Sequence, residues 1–332
     1  MITIATLNPC IDWQYSVPAF CYGGMNRVRH TYQSAASKGT NVAIVLKNLG
    51  QAPHCIGFNF AEGGDKVAAK FDAFNITHDF ETIAGAVRIN IKLYEESTGV
   101  MTELNQPGAF VPEIHVKNFE TKIAQFAQKS GENGILVLSG SLPAGVPADI
   151  YAKLTDLWPG KVFLDAEGDT LRLALQGQTL PYAIKPNLFE LESTFGVRLT
   201  SPMEIADFCR ENITVKGVKL VCVSMGADGA VLITPSTAYF CPPPDIAVCG
   251  VQGAGDSMVA GLIHGVLTHA TDADLLRYGV AAASASVIRE GTDLCTREDF
   301  YAMLNIVPPL STISIDLGGP PCQTKPCHAY YW

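Results

Sequence analysis

Short apolar runs recur along the middle of the chain, and each run ends in polar or glycine-containing residues. The runs lie at residues 135–138, 162–164, 182–184 and 220–223, with helix-like stretches between them. Apolar strands that alternate with helices predict a parallel sheet covered on both faces. The carboxyl ends of such strands share one edge, where open α/β sheets bind ligands. We therefore expect one crevice that collects Asp12, Ser139, Asp165, Asn187, Ser224 and Asp256.

Within residues 84–104, the stretch 85–94 alternates with a period of two, which is typical of strands with two unlike faces. One face carries Arg88, Asn90 and Lys92, and the other carries Val87, Ile89, Ile91 and Leu93. A turn near Gly99 completes a hairpin. Together with an irregular stretch before it, this predicts a small sheet built from about 13–34 and 84–107. Its basic face either lies in solvent, as is usual, or closes over an anionic ligand as a lid.

The loop at residues 250–256 has the features of an anion site that holds a base. Glycines surround Asp256 and a helical pattern follows, so backbone N–H groups and a carboxylate meet at a helix N-terminus. A carboxylate at this place would repel a bound anion, so its presence makes sense if it accepts the proton of a hydroxyl that attacks phosphorus. Taken alone, the loop is explained equally well as a plain turn with Asp256 as N-cap. A dinucleotide fingerprint is disfavoured because Met258 replaces its third glycine, and the Walker lysine is absent.

Two further helix starts carry polar residues that have more than one interpretation. Residues 35–49 predict a helix with Lys38 at its entrance, where a solvated lysine is the simpler interpretation. Asn187 and Glu190 form a capping-box pattern before another helix. The same pair also suits hydrated Mg²⁺, which keeps several waters and needs few carboxylates.

Composition limits the partners of the chain. Its 332 residues carry a formal net charge of −9, with 48% hydrophobic and 17% charged residues. We expect neither a nucleic acid nor a membrane surface as partner, because no basic run offsets this charge. An anionic substrate must then be held by a local basic cluster. The ten scattered cysteines are typical of reduced core residues and not of a zinc site. Because the first residues have the pattern of a strand and not of a signal peptide, we expect a cytoplasmic protein.

Seven short motifs follow one another in an order that points to a family. They are Asn8-Pro9-x-x-Asp12, Lys38-Gly39-x-Asn41-Val42-Ala43, Arg88-x-Asn90-x-Lys92, Ser139-Gly140-Ser141-Leu142-Pro143-x-Gly145, Lys185-Pro186-Asn187-x-x-Glu190, Ser224-x-Gly226-Ala227-x-Gly229 and Gly253-Ala254-Gly255-Asp256-Ser257. In this order they resemble the ribokinase-like (PfkB) carbohydrate kinases, over roughly residues 1–299. The resemblance implies an α/β fold: a three-layer α/β/α domain with a mostly parallel central sheet and a small β-sheet lid. The kinase domain would span residues 1–306, and residues 307–332 would form an irregular tail.

The resemblance also implies an activity, the transfer of the γ-phosphoryl group of ATP, with Mg²⁺, to a primary hydroxyl of a sugar phosphate. Asp256 would be the catalytic base, and the N–H groups of Gly253, Ala254 and Gly255 would stabilise the transferring group. The substrate-binding residues would be Asp12, Arg27, Lys38, Gly39, Asn41, Arg88, Asn90 and Ser139. The nucleotide-binding residues would be Lys185, Asn187, Glu190, Ser224, Gly226 and Gly229, with Glu190 reaching the metal through water alongside Asn187. A homodimer through the lid is also expected.

Several substrates and one non-catalytic role stay open. The motif detail is most similar to the bacterial 1-phosphofructokinases, which convert D-fructose 1-phosphate to fructose 1,6-bisphosphate, with tagatose-6-phosphate kinases as the close alternative. A kinase of an unphosphorylated sugar or nucleoside would leave Arg27, Lys38 and Arg88 without a purpose. A sugar-phosphate-binding regulator without turnover is disfavoured because Asp256 and its glycines are retained. The departures from the family pattern are Ser37, Val87 and Gln252.

Overall fold

Fourteen strands and ten α-helices form in residues 1–289 and 293–313, the parts of the chain that the computed structural model describes. The strands are β1 (Ile2–Thr6), β2 (Cys10–Val17), β3 (His30–Ala36), β4 (Pro53–Glu62), β5 (Thr77–Ala86), β6 (Arg88–Glu95), β7 (Val100–Asn105), β8 (Ile135–Ser139), β9 (Lys161–Asp165), β10 (Ala183–Ile184), β11 (Leu220–Ser224), β12 (Ala230–Ile233), β13 (Ala238–Cys241) and β14 (Ser311–Ile313). The helices are α1 (Lys38–Asn48), α2 (Gly64–Ala73), α3 (Glu113–Ser130), α4 (Ile150–Leu157), α5 (Gly168–Ala174), α6 (Leu188–Phe195), α7 (Pro202–Asn212), α8 (Ala254–Leu267), α9 (Asp272–Val287) and α10 (Arg297–Ile306). None of these described helices is both long and apolar enough to span a membrane.

The large sheet is parallel over most of its width, as the alternation of apolar runs and helices predicts. Its strand order is β14-β13-β12-β11-β10-β9-β8-β1-β4-β5. The strands from β11 to β5 run parallel to their neighbours, whereas β12, β13 and β14 add an antiparallel edge. Helices pack in two sets, α1 with α8, α9 and α10, and α3 with α4, α5 and α6. The two sets cover the two faces, which confirms the expected three-layer fold class.

The central strands are buried because the side chains on both of their faces pack against helices. Every residue of β1 and of β8 is buried, and Ile4, Leu136 and Val137 have no exposed surface. Burying one such side chain contributes about 1.5–3 kcal/mol. β4 approaches β1 closely because Gly57 faces Thr6, whose carbonyl oxygen would lie 1.9 Å from a Cβ at Gly57. These strands form the platform that carries the site at its carboxyl edge.

The smaller sheet, here called the lid, consists of β3, β2, β6 and β7 in that order. β2 runs antiparallel to β3 and parallel to β6, and β6 forms the expected hairpin with β7. Its polar face is the buried one, because Asn90 and Lys92 are each 8% exposed. Ile91 and Leu93, on the opposite face, are half-buried. The basic face therefore does not lie in solvent, which favours its interpretation as a lid.

The boundary between the two sheets differs from the expected one. Residues 84–86, which the sequence assigns to the lid, belong instead to β5 at the edge of the large sheet. The chain passes between the sheets at Val87, which is buried and whose N–H donates to the Glu62 carbonyl at 2.9 Å. The polar side chains of the lid begin at Arg88, directly after this buried anchor.

The sequence predicts an irregular tail from residue 307. Residues 311–313 instead form β14, which pairs with β13, so the prediction is wrong for these residues. The edge of a sheet offers unpaired backbone groups to any extended segment, and an amino-acid pattern does not reveal such pairing. The remainder of the predicted tail, residues 314–332, lies outside the described residues.

The cysteines of the described residues are free thiols, and most of them are buried in the core. Burial raises the pKa of the Cys55 and Cys209 thiols well above the usual range, which keeps them protonated and unreactive. Cys21 and Cys249 are exposed. The buried members of the group therefore lie in the core, as the sequence predicts.

Candidate active site

Two cavities open at the carboxyl ends of the parallel strands. One, of about 960 Å³, is lined by lid residues and by the ends of β1 and β8, and is called the lid cavity. The other, of about 920 Å³, is lined by the start of α8 and the ends of β9 and β11, and is called the helix cavity. Four residues line both cavities: Lys38, Glu103, Gly253 and Asp256. The two cavities therefore meet at Asp256.

The loop before α8 is built to receive an anion. Its N-cap is Gly253, with φ of 71° in the left-handed region, and a Cβ there would lie 2.5 Å from Leu294. No described side chain caps the first N–H groups of α8. Free N–H groups and the helix dipole together favour negative charge at this point. Because Gly253 and not Asp256 is the N-cap, the plain-turn interpretation does not hold.

Asp256 lies in the first turn of α8 and is 7% exposed. Its Oδ2 accepts a hydrogen bond of 2.7 Å from Asn41 Nδ2, which fixes the orientation of the carboxylate. Burial raises the pKa of Asp256 to about 6, and the charge of Asp165 acts in the same direction, against the effects of Lys38 and Asn41. At neutral pH the group is ionised but more basic than an ordinary carboxylate, which suits a general base.

Two lysines share the buried carboxylate of Asp165. Lys38 Nζ lies 3.3 Å from Asp165 Oδ2, and Lys185 Nζ lies 3.5 Å from Asp165 Oδ1. Burial disfavours the charged form of Lys38, but the carboxylates of Asp165, Glu190 and Asp256 outweigh burial and raise the pKa of the lysine. Burial also opposes ionisation of Asp165, yet Lys185 and Lys38 lower its pKa below the ordinary value. Positive charge is therefore held beside Asp256.

A chain of polar contacts follows the lid strands along the lid cavity. Arg88 Nη1 donates to Asn90 Oδ1 at 3.2 Å, and Asn90 Nδ2 donates to Asp12 Oδ1 at 3.2 Å. Lys92 Nζ lies 2.7 Å from Asp12 Oδ2 and donates to Gln252 Oε1 at 2.9 Å. The lid cavity thus offers basic groups, an amide and a carboxylate at short range. This set suits a polyol that also carries an anionic group.

The helix cavity holds the residues expected at the nucleotide phosphates. They are Lys185, Asn187, Glu190, Ser224, Gly226 and Gly229. Asn187 and Glu190 form the expected capping box, with side-chain to backbone hydrogen bonds of 2.7 and 2.8 Å. Apolar residues also line this cavity, namely Val248, Val251, Val280, Ala283 and Val287. A cavity with polar and apolar walls suits a ligand such as a nucleotide.

The donor set at Glu190 fits a hydrated metal ion better than a dehydrated one. Glu190 Oε2 accepts from the Asn187 N–H, and Glu190 Oε1 lies 3.5 Å from Lys38 Nζ. Within residues 1–289 and 293–313, no group of three or more His, Cys, Asp or Glu side chains is arranged to hold a metal. Mg²⁺ commonly keeps several waters and binds through substrate phosphates and few carboxylates. These residues therefore fit a magnesium ion that Glu190 contacts through water.

Most of the predicted site residues are brought together in the two cavities. Arg27 is an exception: it lies on the exposed connection between β2 and β3 and is not among the described residues that line either cavity. Gly39 is buried, and a Cβ there would lie 2.8 Å from Thr6 Oγ1, so its small size lets α1 pack against β1. Asn41 lines the lid cavity, but its amide contacts Asp256.

The sequence predicts Asp165 in the crevice and Lys92 on the basic face of the lid but assigns a ligand to neither, nor to Glu103 or Gln252; all four line the cavities. Asp165 ends β9, and Lys92 shares the polar face of β6, so the signals already used apply to both. Glu103 pairs with Lys92 in the register of the hairpin, which places it on the same face. The irregular loop before α8 holds no such signal for Gln252.

These features together define a class of protein. A buried carboxylate stands beside an uncapped helix N-terminus, where a cavity lined by polar and charged side chains meets a second cavity with polar and apolar walls, above a doubly covered parallel sheet. Such a site is that of a sugar kinase, a phosphotransferase with an alcohol group as acceptor. The chain belongs to the pfkB family of carbohydrate kinases, whose family model matches residues 2–299. Membership of this kinase family implies the use of ATP.

Relatives and solved structures agree with this membership. The chain is 34% identical over 307 residues to 1-phosphofructokinase of Bacillus subtilis (strain 168), a match that covers 92% of this chain and 97% of the relative. Phosphofructokinase-2 of Escherichia coli, in complex with substrates and products, has a TM-score of 0.85 at 26% identity over 92% of this chain and 99% of that one. Its tetrameric inhibited form has a TM-score of 0.81, also at 26% identity, over 92% and 98%. Ribokinase of Thermotoga maritima shares the fold, with a TM-score of 0.75 at 20% identity over 92% and 99%.

Proposed function

We propose that the chain is a 1-phosphofructokinase, which transfers the γ-phosphoryl group of ATP to D-fructose 1-phosphate and yields fructose 1,6-bisphosphate. The observation that carries this proposal is the position of Asp256, which lines both cavities at the start of α8. A base at such a junction can meet the hydroxyl of one ligand and the terminal phosphate of another. The relative named 1-phosphofructokinase, at 34% identity, supports the choice of substrate.

The reaction needs one proton transfer and one displacement at phosphorus. The 6-hydroxyl of the sugar gives its proton to Asp256 while its oxygen bonds to the γ-phosphorus. The bond between this phosphorus and the β–γ bridging oxygen breaks, and ADP leaves with the electron pair. The N–H groups of Gly253, Ala254 and Gly255 stabilise charge on the transferred group, where loss of one such donor typically costs about 3 kcal/mol. Lys38, which lines both cavities, balances charge on the same group.

The lid cavity is the proposed site of the sugar phosphate. Arg88 would bind the phosphate with two parallel hydrogen bonds, which its guanidinium geometry favours. Asp12, Asn90 and Ser139 line the same cavity and would hold the sugar hydroxyls. The hydrogen bonds described for Arg88 all go to neutral oxygens, of Asn8, Asn90 and Gln106. An unphosphorylated sugar would leave this guanidinium without an anionic partner, so a phosphorylated substrate fits better.

The helix cavity is the proposed site of MgATP. Lys185, Ser224 and the backbone at Gly226 would bind the phosphates, and the apolar wall would contact the adenine ring of ATP. Glu190 would hold Mg²⁺ through water, alongside Asn187. When bound, the ion would bridge phosphate oxygens and reduce their negative charge.

We also propose that two copies pair through their lids. Seven large apolar side chains of the lid region are exposed, among them Tyr22 at 95%, Met25 at 82% and Leu104 at 62%; the others are Phe20, Val28, Tyr32 and Val100. A group of exposed apolar side chains is typical of an interaction surface. The similar phosphofructokinase-2 of Escherichia coli has a tetrameric form, which supports the proposal that members of this family self-associate. A monomer by light scattering at assay concentration would contradict the proposal.

The proposed function is tested by ADP release from MgATP with four acceptors: fructose 1-phosphate, fructose 6-phosphate, tagatose 6-phosphate and free fructose. We expect turnover with fructose 1-phosphate to exceed turnover with the others. Asp256→Asn should lower kcat by about 10³-fold, because it removes the base, and should leave sugar-phosphate binding in calorimetry within about twofold. Asp65→Asn, at an exposed position of α2 that lines neither cavity, is the matched control and should keep full activity.

Each other outcome has a distinct meaning. Turnover with tagatose 6-phosphate in place of fructose 1-phosphate would keep the mechanism and overturn the substrate. Binding of a sugar phosphate without turnover of any acceptor would identify a non-catalytic regulator and overturn the kinase proposal. Turnover with free fructose alone would contradict the role of Arg88.

A further inference from the structure

The lid and the catalytic loop are in contact through Lys92 and Gln252. Lys92 lies on β6 of the lid, and Gln252 directly precedes Gly253, the N-cap of α8. Lys92 Nζ donates to Gln252 Oε1 at 2.9 Å. Lys92 is buried, and its Nζ also lies 2.7 Å from Asp12 Oδ2. One ammonium group thus joins a proposed sugar-binding carboxylate to the loop that carries the base.

This contact is the last link of the polar chain that begins at Arg88. The chain continues through Asn90 to Asp12, then to Lys92 and Gln252, and each link is a direct contact of 3.2 Å or less. Hydrogen bonds in such a chain polarise one another, more so where water is excluded. A ligand that binds Arg88 or donates a hydroxyl to Asp12 therefore acts on the groups that hold Lys92.

The catalytic loop also separates the two cavities. Gln252 lines the lid cavity, Val251 lines the helix cavity, and Gly253 lines both. Neighbouring residues are joined by a planar peptide, so the position of Gln252 constrains the position of Val251. Val251 is 72% exposed, and a nucleotide in the helix cavity would cover part of this apolar surface.

We infer that Lys92 and Gln252 are positioning residues that couple the binding of the two substrates. A sugar phosphate on Asp12 and Arg88 holds Gln252 through Lys92, and the loop then presents Val251 and the N-terminus of α8 to the nucleotide. The inference rests on the proposed function, because it takes the lid cavity as the sugar-phosphate site. By linkage, the nucleotide must tighten sugar-phosphate binding by the same factor.

The test is calorimetric binding of adenylyl imidodiphosphate with Mg²⁺, with and without saturating fructose 1-phosphate. In the wild-type protein we expect the sugar phosphate to tighten nucleotide binding by about fivefold or more. Gln252→Met has a similar length but no acceptor for Lys92, so the ratio should fall to near one. Affinity for fructose 1-phosphate alone should stay within about twofold, because Asp12 and Arg88 are untouched. Gln252→Glu restores an acceptor and should restore the coupling.

Lys70→Met is the matched control for a lost contact to the lid. Lys70 Nζ donates at 3.1 Å to Ser34 Oγ, on β3 of the lid, so this variant should keep the wild-type ratio. Thermal unfolding checks that each variant is folded; if Gln252→Met is not, Gln252→Asn, which is one methylene shorter, takes its place. A wild-type ratio in Gln252→Met, or in Gln252→Asn where that variant replaces it, overturns the inference, as does a wild-type protein without coupling.

ADP release by the wild-type protein is measured in parallel. Turnover of fructose 1-phosphate together with an unchanged ratio in Gln252→Met would overturn the coupling and leave the proposed function in place. Absence of turnover and of fructose 1-phosphate binding would overturn the proposed function, and the inference with it. The expected result is coupling in the wild-type protein that is lost in Gln252→Met. Gln252→Glu and Lys70→Met should both retain it.

Discussion

Replacing Asp256 with asparagine should stabilise the fold while it removes the base. In the folded protein the pKa of Asp256 is about 6, against an ordinary value of 3.8. One pKa unit corresponds to about 1.36 kcal/mol, so at pH 8 the ionised carboxylate destabilises the fold by about 3 kcal/mol. Asparagine carries no charge and can still accept the hydrogen bond from Asn41 through its carbonyl oxygen.

The stability gain must depend on pH in one direction. Because its pKa is raised, Asp256 binds its proton more tightly in the folded state than in the unfolded state, and this proton binding stabilises the fold. The stabilisation is complete below pH 3.8 and is lost as pH rises through 6. The advantage of Asp256→Asn in unfolding free energy should therefore grow by about 1.4 kcal/mol between pH 5 and pH 8. The other titrating groups are common to both proteins and cancel to first order.

Urea unfolding followed by tryptophan fluorescence between pH 5 and pH 8 measures this difference. Asp65→Asn is the matched control, because it removes one negative charge at an exposed position of α2, away from both cavities. If the difference in unfolding free energy between Asp256→Asn and the wild-type protein stayed constant, or became smaller, as pH rises, that result would refute the reasoning. Burial of the charge would then not be what makes Asp256 basic.

The remaining predictions concern catalysis and packing. The kcat/KM for sugar phosphate at saturating MgATP should fall about tenfold per pH unit below the pKa of Asp256, about 6, and a flat profile down to pH 5 would contradict this. Arg88→Met should raise the KM for sugar phosphate by about 10²-fold and leave the KM for MgATP within about twofold in steady-state kinetics. Lys185 lines the helix cavity, so Lys185→Met should raise the KM for MgATP and leave the KM for sugar phosphate within about twofold. If either variant changed both KM values equally, the assignment of one substrate to each cavity would be contradicted. Gly57→Ala should cost more than about 4 kcal/mol of stability, since its Cβ would lie 1.9 Å from a backbone oxygen. Gly99→Ala, where nothing lies within 4 Å, should cost about 1 kcal/mol, and thermal denaturation that ranks the two alike would contradict this.

The parallel sheet is predictable because its strands are buried on both faces. β8 and β11 are continuous apolar runs that end in Ser139 and Ser224, and their ends mark the edge of the site. The strand β5 gives no such signal, because it lies at the sheet edge and only Ile83 of its residues is buried. The short strands β12 to β14 depend on antiparallel pairing with one another, which local sequence does not encode.

The site is predictable where a residue is fixed by its own strand or helix end. Asn187 and Glu190 form their capping box within one turn, and Asp256 is set by the glycines beside it. Contacts between distant segments are not predictable in this way. Lys92 and Gln252 are 160 residues apart and meet because the topology brings the lid to the catalytic loop.

Phosphorus NMR of the reaction tests most directly whether the chain is a kinase of fructose 1-phosphate. With MgATP and fructose 1-phosphate, we expect ADP and a bisphosphate with two monoester signals to form in equal amounts. The Asp256→Asn protein should give neither at a comparable rate. ATP consumption that yields inorganic phosphate, or no consumption with fructose 1-phosphate bound, would contradict the assignment.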